Sequence, residues 1–266
     1  MKKRILNAII MFIIVIPLLI LGELPFKIGI CILAVAGMYE LMKAKEKDKE
    51  VPLALRVFAY IFTALLVYFS NDNYSINTII DMKVLSVIFL LFLIPIVLIN
   101  DNKKYNINDA LYLIGGILFI SIALNGFVII RSIGLSHMIY VMLITIMTDT
   151  FALFTGMLIG KHKLCEKISP NKTIEGAVGG SLVGTIIATL FYIYVIDPSA
   201  NILLISSISL ALTIIGQIGD LLFSSIKRHY CIKDFSKLIP GHGGILDRLD
   251  SLIFVVLTYI LIFSIL

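Results

Sequence analysis

The sequence predicts an all-α polytopic membrane protein with about nine transmembrane helices. Three observations predict it. The 266 residues are 59% hydrophobic and only 15% charged, against about 25% charged in a soluble domain. Mean hydropathy is +1.04. The apolar residues fall into runs close to the roughly 20 residues needed to cross a bilayer core, and the cations alternate between the connections that separate those runs.

The runs are 5–22, 26–42, 52–69, 84–99, 110–130, 136–160, 176–196, 201–224 and 250–266. Lys2, Lys3 and Arg4 precede the first, as in a signal peptide. Bulky residues follow it, with no small-residue cleavage site, so it reads as an uncleaved span. The runs at 26–42 and 84–99 are short and allow a tilted or re-entrant path. Tyr39, Tyr60, Tyr68, Tyr112 and Tyr140 fall near span ends, where interfacial belts form. With the N-terminus inside, the cytoplasmic connections carry 18 Lys and Arg and the outer ones only Lys27, Lys83 and Arg131. This asymmetry sets the orientation.

The net charge of +5 therefore belongs to membrane topology and to anionic lipid, with no nucleic-acid partner implied. Cys31, Cys165 and Cys231 form no CxxC pair and imply neither a disulfide framework nor a zinc site. The run KAKEKDKE at 43–50 reads as a solvated loop. Residues 1–130 form an N-terminal transmembrane bundle, and residues 131–266 a C-terminal catalytic region.

Four features of that second region point to chemistry. Asp149 stands deep in an apolar run, where a carboxylate costs about 2.5–3.5 kcal/mol and usually faces a polar cavity. Ser169, Pro170, Asn171, Lys172 and Thr173 read as a helix start beside a lysine, a ready anion site. Asp220, Ser224 and Lys227 recur at i, i+4 and i+7 and share one helical face. Gly216 on that face leaves room for an approaching group.

The fourth is the stretch 219–251, GDLLFSSIKRHYCIKDFSKLIPGHGGILDRLDS. It gathers Asp220, Asp234, Asp247 and Asp250 with Lys227, Arg228, Lys233, Lys237 and Arg248, around a glycine turn holding His242, Gly243 and Gly244. Carboxylates and cations brought together at a membrane surface suit a metal ion and a phosphate ligand. The glycines permit close backbone approach to a phosphate. Asp247 and Asp250, at i and i+3, begin the last span as neighbours on one helix face.

In order, Ser224, Lys227-Arg228, Lys233-Asp234, Ser236, Ile239-Pro240, His242-Gly243-Gly244, Asp247-Arg248 and Asp250 resemble the signature of phosphatidate cytidylyltransferases, also called CDP-diacylglycerol synthases. The resemblance reaches Asp149, Gly160 to Lys163, Ser169 to Gly176, and Gly219-Asp220, roughly the C-terminal half. The N-terminal half matches only as a bundle of spans. Phe223 stands where many relatives of the family have glutamate, a departure that counts against an essential acid at that position and leaves the rest untouched.

The resemblance implies transfer of a cytidylyl group from CTP to phosphatidate, giving CDP-diacylglycerol and pyrophosphate, with Mg²⁺ as cofactor and a second cation left open. It implies a polar cavity opening at the cytoplasmic face of a bacterial inner membrane, and leaves a homodimer open. On it, Asp220 and Asp247 are metal ligands, with Asp234 or Asp250 as helpers. Lys227, Arg228, Lys233 and Arg248 hold phosphates, with Ser224 beside them. Gly243 and Gly244 around His242 shape the nucleotide pocket. Ser169, Asn171, Lys172 and Thr173 bind a CTP phosphate or the lipid head group, and Asp149 supports the polar network.

Three rival readings stand beside this one, of which the blandest, a structural membrane protein, leaves the motif unexplained. A secondary transporter accounts for Asp149, but not for an acid-and-base cluster in a loop. An intramembrane CDP-alcohol phosphotransferase would carry several aspartates after Asp-Gly and Ala-Arg pairs, a pattern this chain lacks.

Overall fold

The structure, a computed structural model, describes residues 13, 15–69, 82–239, 241 and 243–264. The predicted first span lies largely outside these residues, although 15–21 are helical. Then follow α1 (Glu23–Lys45), α2 (Leu53–Tyr68), α3 (Met82–Ile99), α4 (Ile107–Ile133), α5 (Leu135–Ile159), a hairpin of β1 (Lys163–Cys165) and β2 (Ser169–Thr173), α6 (Ile174–Phe191), α7 (Ile202–His229) and α8 (Leu246–Phe263). Within the described residues each later predicted run corresponds to one helix, with a π-helical turn at Tyr192–Ile196 completing the run 176–196. Six of these, α1 and α3 to α7, are long and apolar enough to span a membrane by length and composition. The run 26–42 is no fragment, since α1 extends it to 23 residues. Instead α2, with 16 residues, is the short helix.

The chain divides into two compact units, Met1–Ser132 with Ile232–Asp247, and Ile133–Cys231 with Arg248–Leu266. The first has a core of Met38, Met42, Leu55, Phe92, Tyr105, Leu113 and Ile117. Nearby, the buried Asp109 carboxylate accepts from Lys49 Nζ at 2.5 Å and pairs with Lys45 at 3.4 Å.

The second unit is organised by small residues. Gly176, Gly180 and Gly184, spaced every fourth residue along α6, lie on Thr148, Ala152 and Gly156 of α5, themselves spaced every fourth residue. Lipid offers helices no hydrophobic drive to associate, so close backbone approach does that work. This contact fixes the height of Asp149, next to Thr148, relative to the start of α6. On α7, a Cβ at Gly216 would lie 2.9 Å from Val255, and one at Gly219 2.7 Å from Phe254. The group that approaches Gly216 is thus helix α8. Phe223 is fully buried and meets Phe254 edge-on with ring centroids 6.3 Å apart, so position 223 is interior.

One predicted boundary is corrected. Ser169-Pro170 does not start a helix but opens β2, which pairs antiparallel with β1 through Lys163↔Thr173 and Cys165↔Ser169. Pro170 tolerates this because a two-stranded edge does not need its missing N–H, and its carbonyl accepts from Lys163 Nζ at 2.6 Å. Thr173 is the better cap. Its Oγ1 accepts from the Gly176 amide at 3.1 Å, and α6 begins at Ile174.

Candidate active site

The second unit encloses a cavity of about 450 Å³ between α5, the hairpin, α6 and α7. Asp149, Asn171, Lys172, Thr173 and Asp220 all line it. Five residues selected from three separate stretches are thereby brought together. The Lys172 ammonium forms an ion pair with the Asp220 carboxylate inside it. Asp149 and Asp250 lie within electrostatic reach of Asp220. Ser251 Oγ stands 3.4 Å from both Asp149 Oδ2 and Asp250 Oδ1 and ties those two carboxylates together. Lys172 is also within electrostatic reach of Asp149, and Lys227 within reach of Asp250. The result is a cluster of charged groups set in a largely apolar lining.

The hairpin that delivers Lys172 is anchored at several points. Glu175, in the first turn of α6, accepts from the amides of Lys161 and His162 at 3.1 and 3.2 Å, and its Oε1 lies 2.6 Å from His162 Nδ1. Arg228 Nε donates to the Ile168 carbonyl in the hairpin turn at 3.2 Å. One of the guanidinium's five donors is committed there. Ser169 is half-buried at the start of β2, and Ser224 half-buried one turn beyond Asp220. Thr173 lines the cavity while its hydroxyl caps α6.

Lys233, Asp234, Gly243, Gly244 and Asp247 fall in the first unit. Lys233 and Asp234 are exposed, as is Arg248 in the first turn of α8. Ile239 and Gly243 exchange backbone hydrogen bonds of 2.9 and 3.1 Å, which closes the glycine turn, with Gly243 at φ +90°. Asp247 Oδ2 accepts from the amides of Phe235 and Gly244, both at 2.9 Å. In those contacts Asp247 acts as the loop's internal brace. His242 lies outside the described residues.

Among the described residues, no three acidic, histidine or cysteine side chains gather closely enough to cage an ion unaided. Asp149 and Asp220 of the second unit nevertheless offer hard carboxylate oxygens in the lining of the cavity. A Mg²⁺ ion is commonly held by one or two carboxylates together with substrate phosphates, with waters completing the shell. The pair Asp149 and Asp220, which both line the cavity, fits that mode.

Sequence reasoning missed Glu40. This residue of α1 is completely buried and holds the segment around the glycine turn. A signal was present, because a carboxylate near the C-terminus of a helix opposes the helix dipole and needs a partner elsewhere.

A family model described as the cytidylyltransferase family matches residues 2–266. The likeness is therefore not confined to the C-terminal half. The chain is 34% identical over 256 residues to the phosphatidate cytidylyltransferase of Staphylococcus haemolyticus, covering 96% of each chain. It is 35% identical to that of Staphylococcus aureus strain COL, again over 96% of each. With that of Bacillus subtilis it shares 35% identity over 263 residues, covering 96% of this chain and 94% of the relative. With the family model running across almost every residue and the signature intact, this chain belongs to the cytidylyltransferase family.

Proposed function

We propose that this chain transfers the cytidylyl group of CTP to phosphatidate, releasing pyrophosphate and leaving CDP-diacylglycerol in the membrane. The observation that carries this reading is the Lys172–Asp220 pair in a polar cavity that runs into an apolar groove. The groove, of about 360 Å³, shares Leu164, Ala177 and Gln217 with the cavity and continues along Val178, Leu182, Ile214 and Ile218. A substrate with a phosphate head and acyl tails needs both environments side by side.

In the reaction a phosphate oxygen of phosphatidate forms a bond to the α-phosphorus of CTP, and the bond from that phosphorus to the bridging oxygen of pyrophosphate breaks. The nucleophile is a phosphate monoester with a second pKa of about 6. Near neutral pH it needs no general base. The work is electrostatic, since two polyanions must be held together and the charge on the leaving group stabilised. Lys172 and Lys227 supply positive charge in the second unit, while Arg228 offers a fork suited to phosphate oxygens. Lys233 and Arg248 serve the same purpose from the signature segment. Asp220, with Asp149, would hold Mg²⁺ in the second unit, and Asp250 lies within electrostatic reach of both; Asp234 and Asp247 belong to the first unit. When bound, Mg²⁺ neutralises triphosphate charge and lowers the cost of expelling pyrophosphate.

The test is an assay of the purified protein with labelled CTP and phosphatidate, in which labelled CDP-diacylglycerol is expected only when both substrates and Mg²⁺ are present. Failure of the wild-type chain to make it would sink the reading. The same assay probes the groove. Ala177→Phe, at the neck between cavity and groove, is expected to lower turnover of long-chain phosphatidate about tenfold. A short-chain, water-soluble phosphatidate should lose no more than about twofold, because its tails need not pass the neck. Equal loss on both would remove the acyl path from the groove.

The Lys and Arg asymmetry orients the site toward the cytoplasm of a bacterial cell membrane. Cys231 is exposed and Cys165 half-buried, and both sit in the segments concerned. In intact cells carrying Cys31→Ser, neither should react with an impermeant thiol reagent until the membrane is permeabilised. Labelling of Cys231 from outside would reverse the topology.

A further inference from the structure

Glu40 sits one turn from the end of α1, among Met38, Leu41 and Met42, with 0% of its surface exposed. A buried carboxylate is tolerated only where donors replace its water. All three donors described for it come from the signature segment, about two hundred positions away. Ser236 Oγ donates to Oε1 at 2.6 Å, the Ile245 amide to Oε1 at 2.8 Å, and the Leu246 amide to Oε2 at 2.8 Å. Leu246 is the first residue of α8. Its amide and that of Ile245 are among those that a helix start leaves without intrahelical partners.

These contacts have a shape as well as a charge. Ser236 precedes the glycine turn and Ile245 follows it, so one carboxylate ties the two ends of the loop. Asp247 ties Phe235 to Gly244 alongside, at 2.9 Å each. The backbone around Gly244 comes so close that a Cβ there would lie 2.5 Å from Glu40 Oε1. One turn earlier on α1, Gly37 makes room for Leu246, whose Cδ2 would stand 3.2 Å from a Cβ at position 37. Residues 37, 40, 244 and 246 therefore form one fitted joint.

We infer that Glu40 is a positioning residue for cytidylyl transfer, acting through the loop it clamps and without touching the substrate. The inference rests on the reaction proposed above. The clamped loop carries exposed Lys237, the glycine turn, and the entry to α8 with Asp247 and Arg248. A glycine-rich loop released from its clamp must be ordered each time a ligand binds, and that ordering is charged against affinity.

The test measures kcat and the KM for CTP and for phosphatidate separately, with thermal unfolding of each variant. Glu40→Gln places an amide N–H₂ where one oxygen now accepts. It is expected to raise the KM for CTP about 20-fold, with the KM for phosphatidate changed less than about twofold. Ser236→Ala should raise the KM for CTP about fivefold. The double variant should be no worse than Glu40→Gln alone, as expected for two partners of one interaction. Unchanged KM values, with kcat falling only in step with the folded fraction, would make Glu40 merely structural and overturn the inference. Independent, multiplying effects in the double variant would do the same. If Glu40→Gln does not fold, Ser236→Ala decides alone, since it leaves both amide contacts of Glu40 in place, and an unchanged KM for CTP overturns the proposal. A wild-type chain inactive on CTP and phosphatidate would instead fail the reaction itself.

Discussion

Asp220→Asn is expected to lower turnover by about 10³-fold, or ~4 kcal/mol of transition-state stabilisation, while the protein inserts and purifies normally. The carboxylate lines the polar cavity, pairs with Lys172 and lies in reach of Asp149 and Asp250. The substitution keeps the shape of the side chain and removes its charge, so two opposing effects on stability arise. The ion pair with Lys172 is lost, but its members are 28% and 23% exposed, and a pair that open to solvent contributes about 1 kcal/mol or less. Repulsion from the two neighbouring carboxylates is relieved at the same time. The melting temperature should therefore move little. Activity should fall because, on the proposed reaction, Asp220 would be the carboxylate through which a divalent ion and the phosphate-binding Lys172 meet. Raising Mg²⁺ should recover part of the loss. Turnover within tenfold of wild type at ordinary Mg²⁺ would remove Asp220 from the metal site.

How far the sequence disclosed this arrangement depended on the distance over which each residue acts. The spans were legible because length and hydropathy are local properties, and each run from 26–42 onward corresponds to a helix. Asp149 was legible because a carboxylate inside an apolar run is anomalous wherever its partners lie. Lys172 and Asp220 were each selected, but their pairing across the fold was not, since nothing local links a hairpin to a helix face 48 residues later. The hairpin itself was misread as a helix start because Ser-Pro serves equally as a helix start or an edge-strand opening. Asp247 and Asp250 were read as neighbours on one face. In the structure Asp247 braces the loop amides whereas Asp250 joins the Asp149 set. Spacing fixed their angular relation on α8 but not what surrounds that helix. Glu40 was invisible for the strongest version of the same reason. Its donors lie 196 to 206 positions away, and no local pattern links it to them.

Gly180→Ala, a change of one methyl group, is expected to destabilise the second unit by about 3 kcal/mol and to abolish most activity. A Cβ there would stand 2.5 Å from the Thr148 carbonyl oxygen and 2.9 Å from the Ala152 amide nitrogen. Those are backbone atoms of α5, which no rotamer change can move aside. Overpacking of this kind typically costs about 1–3 kcal/mol, and the rigid partner puts this site at the upper end. To accommodate the methyl group, α5 and α6 must separate or slide. Either movement shifts Asp149 on α5 relative to the hairpin leading into α6, and with it the geometry of the Lys172–Asp220 pair. Activity should therefore fall further than the folded fraction does. Gly115→Ala in α4 provides the matched control, because a Cβ there meets nothing within 4 Å. With no clash, the better helix propensity of alanine should stabilise by up to about 1 kcal/mol, with activity unchanged. If Gly180→Ala melted and turned over like Gly115→Ala, the close α5–α6 contact would not be what holds the cavity in shape.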